Sequence, residues 1–284
     1  MRMGWAPLVG KLVRASLETA MRKTSWIGYL LRWGMIAATG LAAGCATAPP
    51  DSDPDAVAEY KQTNDPLEPT NRAIFAFNNK LDSLFLRPVA QAYRAAVPQF
   101  GRDRVADFLR NINEPVVFAN DVLQGNADLA GKSLERFALN TSFGVFGIMD
   151  VAKPMGIPPH DADVGQTLGV WGLPQGPYLV LPVFGPSDVR DAVGTGAELY
   201  GDPMSTYLDD HHLRWLDWTR FGVDAVSERE AYLDFLDDIQ RTSLDYYATM
   251  RSLYRQRRDG MVEAGKKGVE SVPPKVHPDI DTTH

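Results

Sequence analysis

The chain has 284 residues, 44% apolar and 23% charged, with 24 Gly and 20 Pro, enough for one or two domains with a sizeable core. One cysteine and five histidines, none in a Cys/His spacing, exclude an intramolecular disulfide and a structural zinc site. A net charge of -7 and a pI near 5.3 deny nucleic acid the basic face it needs.

From Met21 onward, Arg22, Lys23 and Arg32 precede a short apolar stretch, Trp33 to Leu41, and then Leu41-Ala42-Ala43-Gly44-Cys45. Basic region, short hydrophobic region and small residues at the cut are the order of a secretory signal. The stretch is well short of the ~20 residues of a spanning helix. Leu-Ala-Ala-Gly-Cys resembles the bacterial lipobox, in which a thiol receives diacylglycerol and the peptidase needs small residues before it. Residues 1–44 are therefore expected to be a signal peptide, and Cys45 the lipidated first residue of the mature chain. Ala46 follows where an aspartate would hold the protein at the inner membrane, so delivery to the outer membrane is expected. Without residues 1–44 the chain keeps 23 basic and 35 acidic residues and carries -12. That charge opposes anionic lipid, so membrane contact must come from acyl chains and apolar surface.

Residues 45–63, with Pro49, Pro50 and Pro54, read as a lipidated tether. Asp65-Pro66-Leu67-Glu68 then supplies an N-cap, an early proline and an acid in the first turn, the start of a helix. Ile74, Phe77, Leu81, Leu84 and Phe85 recur at helical spacing opposite Asn71, Asn78 and Asp82, and Arg87-Pro88 is expected to end the helix. A second stripe, Val105, Phe108, Leu109 and Ile112, continues to Val122 past Pro115, which should kink or split it. A third helix is expected from Ala127 to Leu139. After Asp202-Pro203 a helical pattern returns, with Leu213 and Leu216 and, from a Ser227–Glu230 capping box, Tyr232 to Tyr254. The fold class is all-α, with a helical domain at 64–259 and a disordered tail at 260–284.

Between Thr141 and Pro203 lie 11 Gly and 8 Pro, which predicts irregular backbone rather than helix. Phe143–Met149 and Tyr178–Phe184 are apolar runs too short to span a bilayer, readable as buried strands, core loops or interfacial segments. Glycines such as Gly144, Gly147, Gly165 and Gly169 permit close backbone approach or positive φ. Gly169→Val should impair function beyond folding if the loop lines a functional path, and both together if the glycine only closes a turn.

Little chemistry is visible. His160 in Pro159-His160-Asp161-Ala162-Asp163 and the run Asp209-Asp210-His211-His212 are the His/carboxylate clusters, and neither has a third ligand at helical spacing. Ser187-Asp188 lies outside any nucleophile elbow and reads as the N-cap of a helix through Val193. Gly194, Gly196 and Gly201 do not form a dinucleotide fingerprint. Neither a metal, a cofactor nor an enzymatic reaction is expected.

A set of motifs runs in order along residues 64–205: Asn64-Asp65-Pro66-Leu67-Glu68-Pro69-Thr70-Asn71-Arg72 with Phe75-Ala76-Phe77-Asn78, Arg87-Pro88-Val89-Ala90, Asn113-Glu114-Pro115, Leu123-Gln124-Gly125, Arg136-Phe137 with Asn140-Thr141, Gly147 to Ala152, Gly165-Gln166-Thr167-Leu168-Gly169, and Gly176-Pro177-Tyr178 through Gly185-Pro186-Ser187 to Arg190-Asp191. In these residues the chain resembles the MlaA/VacJ family of outer-membrane lipoproteins. The resemblance implies a helical ring in the plane of the outer membrane that passes misplaced outer-leaflet phospholipid to the periplasmic carrier MlaC beside a trimeric porin. It also implies a rim, near Phe75, Phe77, Asn78 and Asn79, that controls access to an amphipathic channel to which Phe143, Gly144, Gly147, Gly165 and Gly169 contribute. Deleting Asn78 and Asn79 would turn all later apolar residues of that helix by about 200°. A structural lipoprotein that scaffolds a porin and a lipid hydrolase are the alternatives. Periodicity does not tell a ring with apolar residues outside from a water-soluble helical domain with them in its core.

Overall fold

The computed structural model describes residues 65–271; the expected signal peptide, Cys45 and the whole of the tether lie outside the described residues. Helix α1 (Glu68–Leu81) runs through one π turn (Asp82–Leu86) into α2 (Arg87–Ala96), so Arg87-Pro88 does not end the helix. The Arg87 N–H bonds the Asp82 carbonyl five residues back, and this wider turn accommodates a proline that would otherwise clash with the preceding turn. Arg229 grips the Asp82 carboxylate with two bonds, 2.8 and 3.0 Å, and holds the π turn against a later helix.

Past the Val97-Pro98 corner, α3 (Gln99–Leu123) passes through Pro115 without splitting, packed along α4 (Ala127–Ser142). The Gly/Pro-rich middle begins as turns, but α5 (Val164–Val170), a hairpin of β1 (Tyr178–Leu181) and β2 (Gly185–Asp188), and α6 (Val189–Gly201) follow. Two helices there correct the expectation of wholly irregular backbone: carboxylate caps nucleate them, Asp163 accepting from Gln166 N at 2.6 Å and Asp188 from Asp191 N at 2.8 Å. Asp188, not Ser187, is thus the cap. The antiparallel register pairs Tyr178 with Asp188 and Leu181 with Gly185. The two strands are the only departure from all-α architecture among the described residues.

Then come α7 (Pro203–Asp210), α8 (Arg214–Ala231), α9 (Leu233–Thr242) and α10 (Tyr246–Lys267). Ser227 and Glu230 are buried inside α8, not at a capping box; Glu230 instead receives Arg94 at 2.7 Å and Arg102 at 3.2 Å. The expected disordered tail begins too early. Helix α10 continues through Gly260, buries Met261, Val262 and Gly265, packs on α5, and stops only at Gly268, whose φ of +65° makes a left-handed C-cap.

Candidate functional site

Polarity is inverted in this fold. Among the described residues the buried set holds 14 hydrophobic and 20 polar or charged residues, while 32 large hydrophobic side chains are exposed. In water such an arrangement is penalised on both counts, apolar area left wet and polar groups desolvated. On α1 and the π turn, Asn71 is 2% exposed whereas Phe77, Leu84 and Phe85 are 55%, 55% and 63% exposed. Of the apolar stripe read from the sequence, Phe77, Leu84 and Phe85 face outward, whereas Ile74 packs against the buried Phe75, Tyr178 and Tyr247, and Asn71 turns in. No helix among the described residues is long and apolar enough to cross a membrane.

The inward asparagines act on the hairpin. Asn71 Nδ2 donates to the Tyr178 carbonyl at 2.9 Å, and its Oδ1 accepts from Val180 N at 3.0 Å. Asn78 repeats the clamp two helical turns later, donating to the Leu181 carbonyl and accepting from Val183 N, both at 2.9 Å. Seven helical residues rise about 10 Å, the length of about three strand residues, and the two clamps are offset by three residues along the chain from β1. The register of helix against strand is therefore written in the Asn71/Asn78 spacing. Beneath it Phe75 packs edge-on against Tyr247, ring centroids 5.4 Å apart, and Tyr178 against Tyr247 at 6.0 Å. Asp65 caps nothing: its carboxylate accepts from Asn71 Nδ2 at 2.7 Å, Arg251 at 3.0 Å and the Tyr247 hydroxyl. Asn78→Ala is expected to weaken hairpin docking by about 1–3 kcal/mol for two lost bonds. Faster amide exchange at Val183, with α3 and α4 unaffected, is the expected reading; unchanged exchange there would show that the clamp does not hold the hairpin.

Ion pairs fill the interior. Arg136, 1% exposed, gives Nε to Glu114 at 2.8 Å, one Nη to Asp150 at 3.0 Å and the other to the Ile157 carbonyl at 2.5 Å. A second group joins α5, α6 and α10: Arg258 binds Asp163 at 2.6 and 2.9 Å and also Asp191, to which Tyr254 donates at 2.6 Å. Burial, and then the neighbouring Asp191 charge, push the Asp188 carboxyl up to about 6. His160 Nε2 and Ser133 Oγ both address one oxygen of Asp121, at 2.9 and 2.7 Å. Ser133 Oγ also stands 3.4 Å from the same imidazole nitrogen, the shorter contacts of both groups being to the acid. No three His, Cys, Asp or Glu side chains among the described residues group as a metal ion requires.

The expected site residues separate into two sets. Phe75 is in the aromatic core, Phe77 is on the outer surface, Asn78 is in the clamp and Asn79 beside it is half-buried. Phe143 belongs to a turn that projects Val145, Phe146, Ile148 and Met149 as well, with Phe143 and Phe146 73% and 74% exposed. Val145, Phe146 and Gly147 all take left-handed φ, 55°, 58° and 89°, a strained run for a β-branched and an aromatic residue. Gly144 and Gly147 make it possible: a Cβ on Gly144 would strike the Met149 and Asn140 carbonyl oxygens, and one on Gly147 the Asn111 side chain. Gly165 and Gly169 serve helix packing, a Cβ lying 2.6 Å from Asp191 Oδ1 and 2.6 Å from Val262 Cγ2 respectively. Sequence reading named Glu114 and Arg136 in the motif series and Asp163 beside His160 without giving them this role, and it missed Arg258; for the first two, charged residues interrupting the apolar stripes of α3 and α4 were the available signal.

The sequence pattern of the MlaA lipoprotein family matches residues 63–261. The intermembrane phospholipid transport system lipoprotein MlaA of Escherichia coli K12 is 34% identical over 238 residues, covering 80% of this chain and 87% of that protein. Its counterpart of the same name in Haemophilus influenzae is 32% identical over 233 residues, covering 78% and 90%. A solved structure described as the structural basis for maintenance of bacterial outer membrane lipid asymmetry superposes with a TM-score of 0.61 at 36% identity, over 70% of this chain and 98% of that one. A helical, inside-out body on this scale defines a membrane-associated helical protein. The chain belongs to the MlaA lipoprotein family.

Proposed function

We propose that the protein is a lipoprotein of the outer membrane that removes phospholipid from the outer leaflet and passes it toward the periplasm, keeping the two leaflets different. The observation that carries this is the inverted polarity: exposed Phe, Leu and Trp side chains suit lipid tails, and a polar, ion-paired interior suits a headgroup. A headgroup dragged through hydrocarbon and tails exposed to water are both costly, so a body that is apolar outside and polar inside lowers the barrier without bond chemistry. The transport systems and lipid asymmetry named for the relatives support the same reading.

The finer parts are carried by sequence and resemblance. Cys45 holds the acyl anchor. The ring lies in the membrane plane with the turn at Phe143–Met149 in contact with lipid and Asn78 and Asn79 at the rim. A trimeric porin stands beside it, and the periplasmic carrier MlaC takes up the lipid, whose tighter binding there supplies direction. Deleting the gene should raise outer-leaflet phospholipid, and the wild-type gene should restore it. Cys45→Ala should abolish lipidation and, since stable anchoring needs two acyl signals, leave the protein out of the outer membrane and the phospholipid high. An unchanged outer leaflet after deletion would favour the porin scaffold instead, and release of fatty acid by the purified protein would favour a hydrolase.

A further inference from the structure

Helices α2 and α8 pack against each other, and between them lies a groove of about 340 Å³, walled by Tyr93 of α2 and by Thr219, Gly222, Val223 and Val226 of α8. The four α8 residues are spaced to share one face of the helix. None of the five side chains is charged. Thr219 donates its hydroxyl to the Trp215 carbonyl at 2.8 Å, which leaves its methyl group for the wall. One turn past Val226, Glu230 takes Arg94 at 2.7 Å and Arg102 at 3.2 Å; one turn before Thr219, Trp215 is 62% exposed. Along α8 the groove therefore passes from an ion-paired end to an apolar one.

Two features of the groove serve no contact within the described residues. Gly222 sits in the middle of α8, where glycine weakens a helix. Its φ is not positive, and a Cβ there would meet no atom within 4 Å, so neither backbone shape nor a close neighbour demands it. The Tyr93 hydroxyl is buried, yet it has no hydrogen-bond partner among the described residues, a cost that an acceptor brought by a ligand would remove.

We propose that the groove holds one acyl chain of a phospholipid, its ester carbonyl accepting from the Tyr93 hydroxyl and its chain lying over Gly222 toward Trp215. This rests on the phospholipid-carrying function above and adds where on the body a tail is held. An uncharged wall with one hydrogen-bonding group is the complement of hydrocarbon ending in a neutral acceptor. A phosphate would call for a cation in the wall, and the wall has none. Benzene occupies a cavity of about 150 Å³, and in that proportion the groove's 340 Å³ takes about a dozen carbons, most of one chain. A partner helix is a poorer occupant, because stable protein interfaces bury about 1,000 Å² or more and this seat spans only two turns of α8.

The test uses the full lipidated protein in detergent micelles doped with phosphatidylethanolamine that carries a diazirine midway along one chain, either as the diester or as the diether. Adducts are read by mass spectrometry on the tryptic peptide Leu81–Arg94, which contains Tyr93, with the turn at Phe143–Met149 as internal reference. Gly222→Leu fills the groove and leaves the sequence of α2 untouched. It should cut labelling of Leu81–Arg94 by at least about 5-fold, the worth of one or two buried methylenes, while the turn is labelled as before. It should melt no lower than wild type, since leucine is the better helix former. In wild type the diester should exceed the diether by about 2–10-fold, the worth of one hydrogen bond, and Tyr93→Phe should erase that difference. Undiminished labelling of a folded Gly222→Leu protein, or equal labelling of wild type by the two lipids, would overturn the proposal. Labelling that appears only when Cys45→Ala removes the protein's own acyl chains would also overturn it and assign the groove to the anchor. If Gly222→Leu does not fold, the comparison with Tyr93→Phe decides alone. Outer-leaflet phospholipid in complemented cells reads the parent function separately, so a wild type that lowers it without labelling the groove rejects this site alone.

Discussion

Arg136→Leu is expected to destabilise the helical body by about 3–5 kcal/mol, the cost of breaking a buried ion pair from one side. The guanidinium is 1% exposed and bridges α3 through Glu114, the loop after α4 through Asp150 and the segment before α5 through Ile157. Its removal leaves the Glu114 and Asp150 carboxylates desolvated without a counter-charge and the Ile157 carbonyl without a donor. Lysine should recover little, because one ammonium cannot match three acceptors arranged around a planar fork. Arg136→Leu combined with Glu114→Leu and Asp150→Asn should recover more than Arg136→Lys, because it removes the stranded charges. Melting in detergent and resistance to protease are the measurements. A single variant that melts within a degree or two of wild type would show that water reaches this cluster and that the interior is not desolvated.

Gly144→Val is expected to be the most damaging of the glycine substitutions, at the upper end of the roughly 1–3 kcal/mol of overpacking. Its Cβ would meet two backbone carbonyl oxygens, those of Met149 and Asn140, which cannot swing aside. Those carbonyls belong to the turn whose closure is made by Gly147 N to Asn140 O at 2.8 Å and Met149 N to Gly144 O at 2.9 Å. Gly169→Val meets side chains instead, Val262 Cγ2 at 2.6 Å and Arg190 Nη1 at 2.8 Å, and should cost less. Protein level and outer-leaflet phospholipid, measured together, distinguish the roles. The packing at Gly169 predicts that both fall in parallel, which favours the second of the two outcomes expected from sequence, in which the glycine closes a contact. A stable Gly169→Val protein that fails to lower outer-leaflet phospholipid would contradict that assignment. For Gly144, a lowered melting temperature and a reduced level of folded protein are the expected result, and normal melting and abundance would show that the strained turn can open without disturbing α4.

Local chemistry was legible where it acts over a few residues. Helical periodicity located α1, α3, α4 and the later helices, because residues three and four apart share a face whatever the surroundings. Boundaries failed where a partner distant in sequence took over a local signal. Asp65 left its cap for Tyr247 and Arg251, Glu230 left a capping box for Arg94 and Arg102, and the stop at Pro88 gave way to a π turn held by Arg229. The tail reading failed at Gly260 because the buried face of α10, Met261, Val262 and Gly265, packs against α5, and that contact outweighs a weak helix propensity.

What the amino-acid order settled alone is the family-like motif series, the helical class and the amphipathic faces, all properties of short segments. Which way those faces point was decided only in three dimensions. Asn71 and Phe77 lie on opposite sides of α1 in either a soluble bundle or an inside-out body, and periodicity is blind to the sign. The sign is set by pairings more than a hundred residues apart, Asn71 with Tyr178 and Val180, Asn78 with Leu181 and Val183. Once the asparagine face is committed to the hairpin backbone, Phe77, Leu84 and Phe85 have nowhere to go but outward, and burying those polar groups is tolerable because each finds its partner.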